Sequence, residues 1–374
     1  MKTKIKLCGV PKAIMSNPLS KHSYFAWPTI VRLKNGKIAV GASGFRLMHI
    51  CPFGKAVISF SEDEGKTYTQ PAPVIDTPLD DRDAGLCAFG DSGLIVTSFN
   101  NKTDMQREVN KMRLKPDGSF VSKLAETDYK YIDSYVNTVT PEEEEKWLGS
   151  TYRISYDNGV TFGDVLKSPI TSPHGPTVLS DGTILWVGKK FPAEEESWSD
   201  VPVQAYKVNT DGKMELLGEV PPCYDKNGKK LAYQEPYAFE VSDDKIICHI
   251  RMEDYFSISQ TESFDGGRTW TVPHMILPER GGAPSHIMKH SSGKLIASYG
   301  YRDLPYGIRV AISFDGGETW ETDHVLYEQD LSVDIGYPST LELCDGSLIT
   351  VFYAHTEPPY SPAVILQQRW VIEE

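Results

Sequence analysis

One octapeptide returns four times in this chain, as Ser61-Glu62-Asp63-Glu64-Gly65-Lys66-Thr67-Tyr68, then at Ser155–Phe162, Ser263–Trp270 and Ser313–Trp320. Each copy sets a Ser two residues before an Asp, a Gly two after it, then a Thr and an aromatic. The Asp can accept backbone N–H bonds, the Gly can take positive φ, and the aromatic can pack beneath the turn. These are hairpin parts, so the chain is predicted to be an array of β-hairpins.

The copies start 94, 108 and 50 residues apart, so the two longer intervals each hold a degenerate repeat. Val208-Asn209-Thr210-Asp211-Gly212 reads as the remnant of a missing third-unit copy. A second repeat counts the units independently: an apolar strand, a polar tight turn and another apolar strand. It runs Thr29–Leu33 with Asn35-Gly36, Gly85–Phe89 with Asp91-Ser92-Gly93, and Thr177–Leu179 with Asp181-Gly182. It continues at Ala238–Val241 with Asp243-Asp244, His286–Met288 with Ser292-Gly293, and Thr340–Leu343 with Asp345-Gly346. Six hairpins predict six units.

The octapeptide resembles the Asp-box of the sialidase-like superfamily, whose members are β-propellers. The resemblance implies an all-β, six-bladed β-propeller in one domain spanning residues 1–374. The runs Ala363–Ile372 and Lys4–Val10 have no box of their own and are expected to pair in one blade, closing the ring and removing exposed edges. No Pro/Gly/Ser linker divides the chain. Its main irregularity is Asn101–Gly149, an insertion in the second blade. There, Thr140-Pro141 followed by Glu142–Glu145 predicts a short helix, either a solvated surface element or a lid or dimer contact.

Net charge is −13, from 38 Lys and Arg against 51 Asp and Glu, with no basic cluster, which argues against nucleic acid as a partner. No apolar run reaches the ~20 residues that span a bilayer, and no apolar segment of signal-peptide length precedes Lys12, so the N-terminal sequence predicts a cytoplasmic protein. Six cysteines, Cys8, Cys51, Cys87, Cys223, Cys248 and Cys344, lie far apart without a CxxC pair and are expected to be mostly buried free thiols. The scattered histidines lack metal-ligand spacing, and nothing in the sequence demands a metal or organic cofactor.

Chemistry is expected where the blades converge, at the residues just before each inner strand and just after the next one. These are Ala26 with Arg46 and His49, Arg82-Asp83 with Asn100, His174 with Lys189 and Lys190, Glu235 with Arg251, His286 with Arg302, and Tyr337 with His355. The resemblance gives some of them roles. Sialidases use a Tyr nucleophile activated by a Glu, an Asp acid/base and three arginines that clamp the substrate carboxylate. Gln234-Glu235 with Arg251 sixteen residues later matches the family's spacing for the Glu, and Gly336-Tyr337-Pro338-Ser339 matches the setting of the Tyr. A phenol with pKa near 10 is a poor nucleophile until a neighbouring carboxylate takes its proton.

Two departures bear on the substrate. The family's Phe/Tyr-Arg-Ile-Pro reads here Phe25-Ala26-Trp27-Pro28, which removes the first clamp arginine. The catalytic Asp position falls at His49, with Asp83 as the alternative acid/base. Arg302 and Arg309 flank the place of the third clamp arginine. Arg46, Arg82 and Arg251 could supply a cationic pocket, with one carboxylate of Asp80-Asp81-Arg82-Asp83 holding an arginine. Gln234, His174, His286 and His355 complete the expected substrate-binding set. The resulting expectation is an exo-acting, retaining glycoside hydrolase in which Tyr337 is the nucleophile, Glu235 its base, and His49 or Asp83 the acid/base. Its carbohydrate substrate would carry an acidic or related terminal sugar. A lyase acting on a uronate and a non-catalytic glycan-binding propeller are the alternatives.

Overall fold

The computed structural model describes residues 3–112, 124–193, 195–243, 245–277, 284–357 and 362–373. Six antiparallel sheets surround a channel, and each inner strand lies against the next around the ring. Blade one holds Tyr24–Arg32, Ile38–Arg46, Lys55–Ser61 and Ala72–Ile75. Blades two to five follow the same four-strand plan, beginning at Leu86–Phe89, Thr177–Val178, Tyr233–Ser242 and His286–Lys289, and in blade three an extra strand, Ile170–Thr171, joins the second strand. Blade six joins the two ends of the chain. Gly336–Glu342, Leu348–Ala354 and Val364–Glu373 are completed by Lys4–Leu7, in register from Lys4 opposite Glu373 to Leu7 opposite Trp370. The chain is a six-bladed β-propeller, as the repeats predict. The residue Asp244 of the fourth predicted turn lies outside the described residues.

Each box lies between the third and fourth strands of its blade and makes one bonding pattern. In blade one, Ser61 Oγ donates to Asp63 (2.9 Å), which accepts from the amide (2.8 Å) and hydroxyl (2.6 Å) of Thr67. The Gly65 amide donates to Ser61 Oγ at 3.0 Å. Asp157, Asp265 and Asp315 repeat this pattern.

The boxes also stitch each blade to the one before it. Tyr68 donates to Gln367 of blade six at 2.6 Å, and Gln260 of blade four donates to the Gly317 carbonyl at 2.9 Å. Gly159 and Gly267 sit so close to Phe60 and Leu185 that a Cβ would crowd those side chains. In blade three the remnant turn Asn209–Gly212 keeps the cross-blade bond, from Tyr152 to the Gly212 carbonyl, and Asp211 caps only the Lys213 amide at 3.0 Å.

The insertion holds more helix than its sequence suggests. Pro141–Trp147 forms as predicted, with Thr140 and Glu143 in a reciprocal capping box. Two further helices, Thr103–Met112 and Glu126–Val136, lack so plain a start signal; residues 113–123 of the insertion lie outside the described residues. Ile132 and Val136 pack on Leu47 and Cys51, and Tyr131 stacks on Phe53 at 4.8 Å, so the insertion braces the loop that follows the second strand of blade one. All six cysteines are free. Cys51, Cys87 and Cys248 are buried, but Cys8 and Cys344 are exposed, because they stand in edge and turn positions rather than inside the sheets.

Hydrogen bonds from the Thr67 and Thr161 hydroxyls and amides hold Asp63 and Asp157 down to about 2. Their ordinary value is near 3.9, so the native state binds fewer protons than the unfolded chain; its advantage is present above pH 4 and is lost as pH falls toward 2. The melting temperature should therefore drop across that window. Replacing Asp157 with Asn should lower it by about 2–4 °C at pH 7 and flatten its slope between pH 4 and 2, read by circular dichroism.

Candidate active site

At one end of the channel the inner strands open with a residue in the left-handed region. Trp27 has φ 56°, Asp83 54°, Glu235 53° and Tyr337 51°, and Gly175 takes the same place in blade three at 76°. A side chain there costs on the order of 1–2 kcal/mol of backbone energy. The register of blades one, four and six shifts at these points, which is the signature of a bulge. The bulge breaks the in-out alternation of the strand and turns one side chain toward the channel mouth in blades one, four and six, as the left-handed Asp83 does in blade two. Blade three supplies no side chain there. Gly175 instead faces Gly85, where a Cβ on Gly85 would lie 2.3 Å from the Gly175 nitrogen.

Tyr337 and Glu235 meet across the channel mouth. The Tyr337 hydroxyl donates to Glu235 Oε1, and Arg251 Nη1 holds the other carboxylate oxygen at 2.9 Å. Arg251 Nη2 also pairs with Glu253 at 2.8 Å. Burial, then the Glu235 charge, pushes the Tyr337 phenol well above its ordinary value, so it is a neutral donor facing a carboxylate. A cavity of about 490 Å³ opens beside the pair, over blades two to four, with Glu235, Gln234 and Arg251 on one side and Asp83 and Arg82 on the other. Asp83 is 7 % exposed and has no hydrogen bond among the described residues. Burial pushes it up to about 7, with Arg82 pulling it down and Glu235 adding to the rise.

Beneath the cavity lies a charged layer. Asp80, fully buried, accepts Arg46 Nη2 at 2.6 Å, Gln106 of the first inserted helix at 3.0 Å, and Arg82 Nη1 at 3.5 Å. Both guanidiniums stack on Trp27, with Cζ 4.9 and 4.1 Å from the ring centroid. Beside it, Asp334 accepts from His49 Nδ1 (2.9 Å), Tyr353 (2.9 Å), Tyr24 (2.7 Å) and His355 (3.2 Å). Burial opposes the charge, but His49 and the hydrogen bonds from His355, His49 and Tyr24 hold Asp334 well below the usual carboxylate range.

Several expected site residues are placed elsewhere or engaged elsewhere. Arg46 was expected to face substrate; its guanidinium is wholly buried, and Asp80, Ser43 and the carbonyls of Met48, His49 and Asp81 occupy its donors. His49 was expected as a possible acid. Its Nδ1 faces Asp334 and its Nε2 faces Arg82 Nη2 at 3.3 Å, and since a guanidinium only donates, the ring is neutral with its proton on Nδ1. Burial pushes its pKa down, against the pull of Asp334.

His174 and His286 lie deeper in the channel. They touch each other edge-on at 5.3 Å, and His286 stacks on Tyr237 at 4.7 Å. Both are driven down by burial, His286 to about 3, and both bond across blades, to Thr29 and the Thr340 amide, so they plug the channel below the cavity. Arg309 points outward along blade five and pairs with Glu328 at 2.6 Å. Gln234, Arg82 and Arg251 do line the cavity, whereas His355 does not line it and pairs with Asp334 at 3.2 Å. Arg302 is half-buried near Tyr337 and Tyr353, with no ion pair or hydrogen bond among the described residues.

Sequence reasoning missed Trp27, which takes the blade-one station that had been placed at Ala26, and it missed Tyr24, Tyr353 and Asp334. A signal for the stations is present. The residue before a proline recurs as Trp27-Pro28, Gly175-Pro176, Glu235-Pro236, Ala283-Pro284 and Tyr337-Pro338, although Ala283 itself lies outside the described residues. The three tyrosine and carboxylate partners carry no such local mark.

The sequence profile described as the BNR repeat-like domain matches residues 135–350, more than half of the chain. The chain belongs to that family. No match was found among curated proteins. Among solved structures, this BNR repeat-like propeller is similar to a protein of unknown function from Dyadobacter fermentans DSM 18053, with TM-score 0.74, 19% identity and 99% of each chain covered. It is similar to the intramolecular trans-sialidase from Ruminococcus gnavus, with TM-score 0.61 and 14% identity over 97% of this chain and 98% of that one. An α-L-arabinofuranosidase from Fusarium graminearum has TM-score 0.60 and 11% identity over 97% and 98%. At such identities the likeness is one of fold.

The buried Asp80 gives the BNR repeat-like propeller a direct test. Replacing it with Ala leaves the buried Arg46 guanidinium uncompensated and should destabilise the protein by about 3–5 kcal/mol, read from the midpoint of a urea melt.

Proposed function

We propose that the protein is an exo-acting, retaining glycoside hydrolase that uses Tyr337 as nucleophile. The observation that carries this reading is the hydroxyl of Tyr337 donating to Glu235 at the mouth of the channel, with Arg251 fixing the other carboxylate oxygen at 2.9 Å. In the first step the Tyr337 oxygen bonds to the anomeric carbon and its proton passes to Glu235. The glycosidic carbon–oxygen bond breaks, and Asp83 gives its proton to the leaving oxygen. In the second step Asp83 takes a proton from water, whose oxygen bonds to the anomeric carbon as the bond to Tyr337 breaks, and Glu235 returns its proton to the departing Tyr337 oxygen. Asp83 fits the acid role better than His49, because a carboxyl pushed up to about 7 keeps a proton to give near neutral pH. His49 has both ring nitrogens occupied.

Arg302 beside Tyr337, without an ion pair among the described residues, favours an anionic substituent on the terminal sugar. A phenol also suits such a substrate, since a carboxylate nucleophile would be repelled by it. The trans-sialidase and arabinofuranosidase likenesses agree with carbohydrate chemistry on this fold, and Ala26 at the place of the first clamp arginine leaves a sialoside as one candidate among acidic sugars.

A panel of fluorogenic glycosides, with sialosides, uronides and neutral sugars, tests the reading. Wild type should release one class, and Tyr337→Phe should lose roughly three orders of magnitude or more; equal rates in the two proteins would sink the proposal. For the sugar released, kcat/KM should fall about tenfold per pH unit above pH 7, because Asp83 must be protonated to act as acid. Asp83→Asn should remove that limb and lose far less on an activated aryl glycoside than on a natural linkage.

A further inference from the structure

The cavity extends beyond the catalytic pair onto blade three, where Lys189 stands at the end of the strand Ile184–Lys190. Lys189 is 2 % exposed and has no ion pair or hydrogen bond among the described residues. Every other cation of the cavity is matched, Arg82 by Asp80, and Arg251 by Glu235 and Glu253. A buried ammonium without a partner is costly, and such a group persists where it has a task. Around it the wall is aromatic: Phe99 and Trp198 line the cavity and meet edge-on at 6.3 Å, with Phe191 behind Trp198 at 5.3 Å. Aromatic faces beside a cation suit a ring that is apolar on one side and carries a charge at its rim.

We propose that Lys189 with Trp198 and Phe99 forms a second sugar subsite that binds an anionic sugar residue, its carboxylate or sulfate ester paired with the Lys189 ammonium. The anion gives the Lys189 ammonium the ion pair it lacks among the described residues, and the neighbouring Thr171 and Ser172 border the same space. Lys189 stands apart from the Tyr337 mouth, where Arg302 lies, so the two cations address different groups of the substrate. The subsite makes the substrate an acidic oligosaccharide rather than a simple glycoside. It rests on the glycosidase reading of the cavity for the statement that this residue adjoins the one being cleaved. Burial, then the charge of Lys230, pushes the Lys189 amine down to about 8, with the unbonded Asp200 carboxylate pulling it up, which still leaves it mostly cationic at neutral pH.

Binding tests the subsite without turnover. Tyr337→Phe protein would be applied to an array of uronate-bearing, sulfated and neutral oligosaccharides, and dissociation constants for the best ligand and its carboxyl-reduced or desulfated counterpart measured by calorimetry. The bound set should be acidic, its uronate and sulfate members separating the two anions. Adding Lys189→Met should weaken the acidic ligand about tenfold or more while leaving its neutral counterpart unchanged, and Lys189→Arg should restore part of the loss. Equal affinity for acidic and neutral partners, indifference to Lys189→Met, or no acidic glycan bound at all would overturn the subsite. Lys189-dependent binding together with Tyr337-independent hydrolysis would keep the subsite and remove the nucleophile. Tyr337-dependent hydrolysis with indifference to Lys189 would do the reverse.

Discussion

A left-handed backbone residue at the head of an inner strand is the constraint on which this site depends. A regular strand alternates its side chains between two faces of the blade and would send none of them squarely to the axis. The bulge turns one residue per blade inward, and in blades one, two, four and six that residue is Trp27, Asp83, Glu235 or Tyr337. The following proline in three of the four makes the conformation harder still, since it disfavours helical backbone in the residue before it. Unfavourable conformations held by a surrounding sheet cluster where their side chains have work; here Asp83 and Glu235 line the cavity, Tyr337 bonds to Glu235, and Trp27 carries the Arg82 guanidinium that lines it. Gly175, at the fifth such station, has no side chain to present, which leaves blade three open for Lys189 to reach the same space from its second strand.

Electrostatics then sorts the carboxylates of the channel mouth into different states. Asp334, ringed by two imidazoles and two phenols, is held as an anion; Asp83, buried and without a hydrogen bond among the described residues, is pushed up to about 7. Two acids so separated by their surroundings are the raw material of proton transfer. Asp80 belongs to a third kind. Buried with Arg46 and Arg82, it fixes the guanidiniums against Trp27, and through Arg82 this layer reaches the wall of the cavity.

The ring was legible in the sequence because its marks are local. Four boxes at matching positions and six tight turns fix the number of blades, and the two unpaired terminal runs fix how the ring closes. The Tyr337 and Glu235 stations were legible through their neighbours, Gly336 and Pro338 on one side, Gln234 and a well-spaced Arg251 on the other. What was not legible is which of the many polar residues near the mouth would be taken up by one another. Arg46 looks like a ligand-binding arginine until Asp80 is found buried against it, and His49 looks like an acid until both ring nitrogens are seen to be occupied. Asp334, a single carboxylate in a loop, organises four partners from three separate stretches of chain, and no spacing rule encodes that.

The inserted helices bear on the chemistry as well as the surface. A charged floor made of Asp80, Arg46 and Arg82 needs every lone pair of the carboxylate matched, or desolvation makes it a liability. Gln106, on the helix Thr103–Met112, supplies a donor to Asp80 Oδ2 at 3.0 Å, and Met105 beside it lines the cavity. The helix Glu126–Val136 meanwhile packs on the loop that carries His49. The insertion on blade two therefore adds a hydrogen bond to the buried Asp80 and, through Met105, walls one side of the pocket. Changes in its sequence would reach the cavity wall through Met105 and the charged layer through Gln106 and Asp80, without touching Tyr337, Glu235 or Asp83.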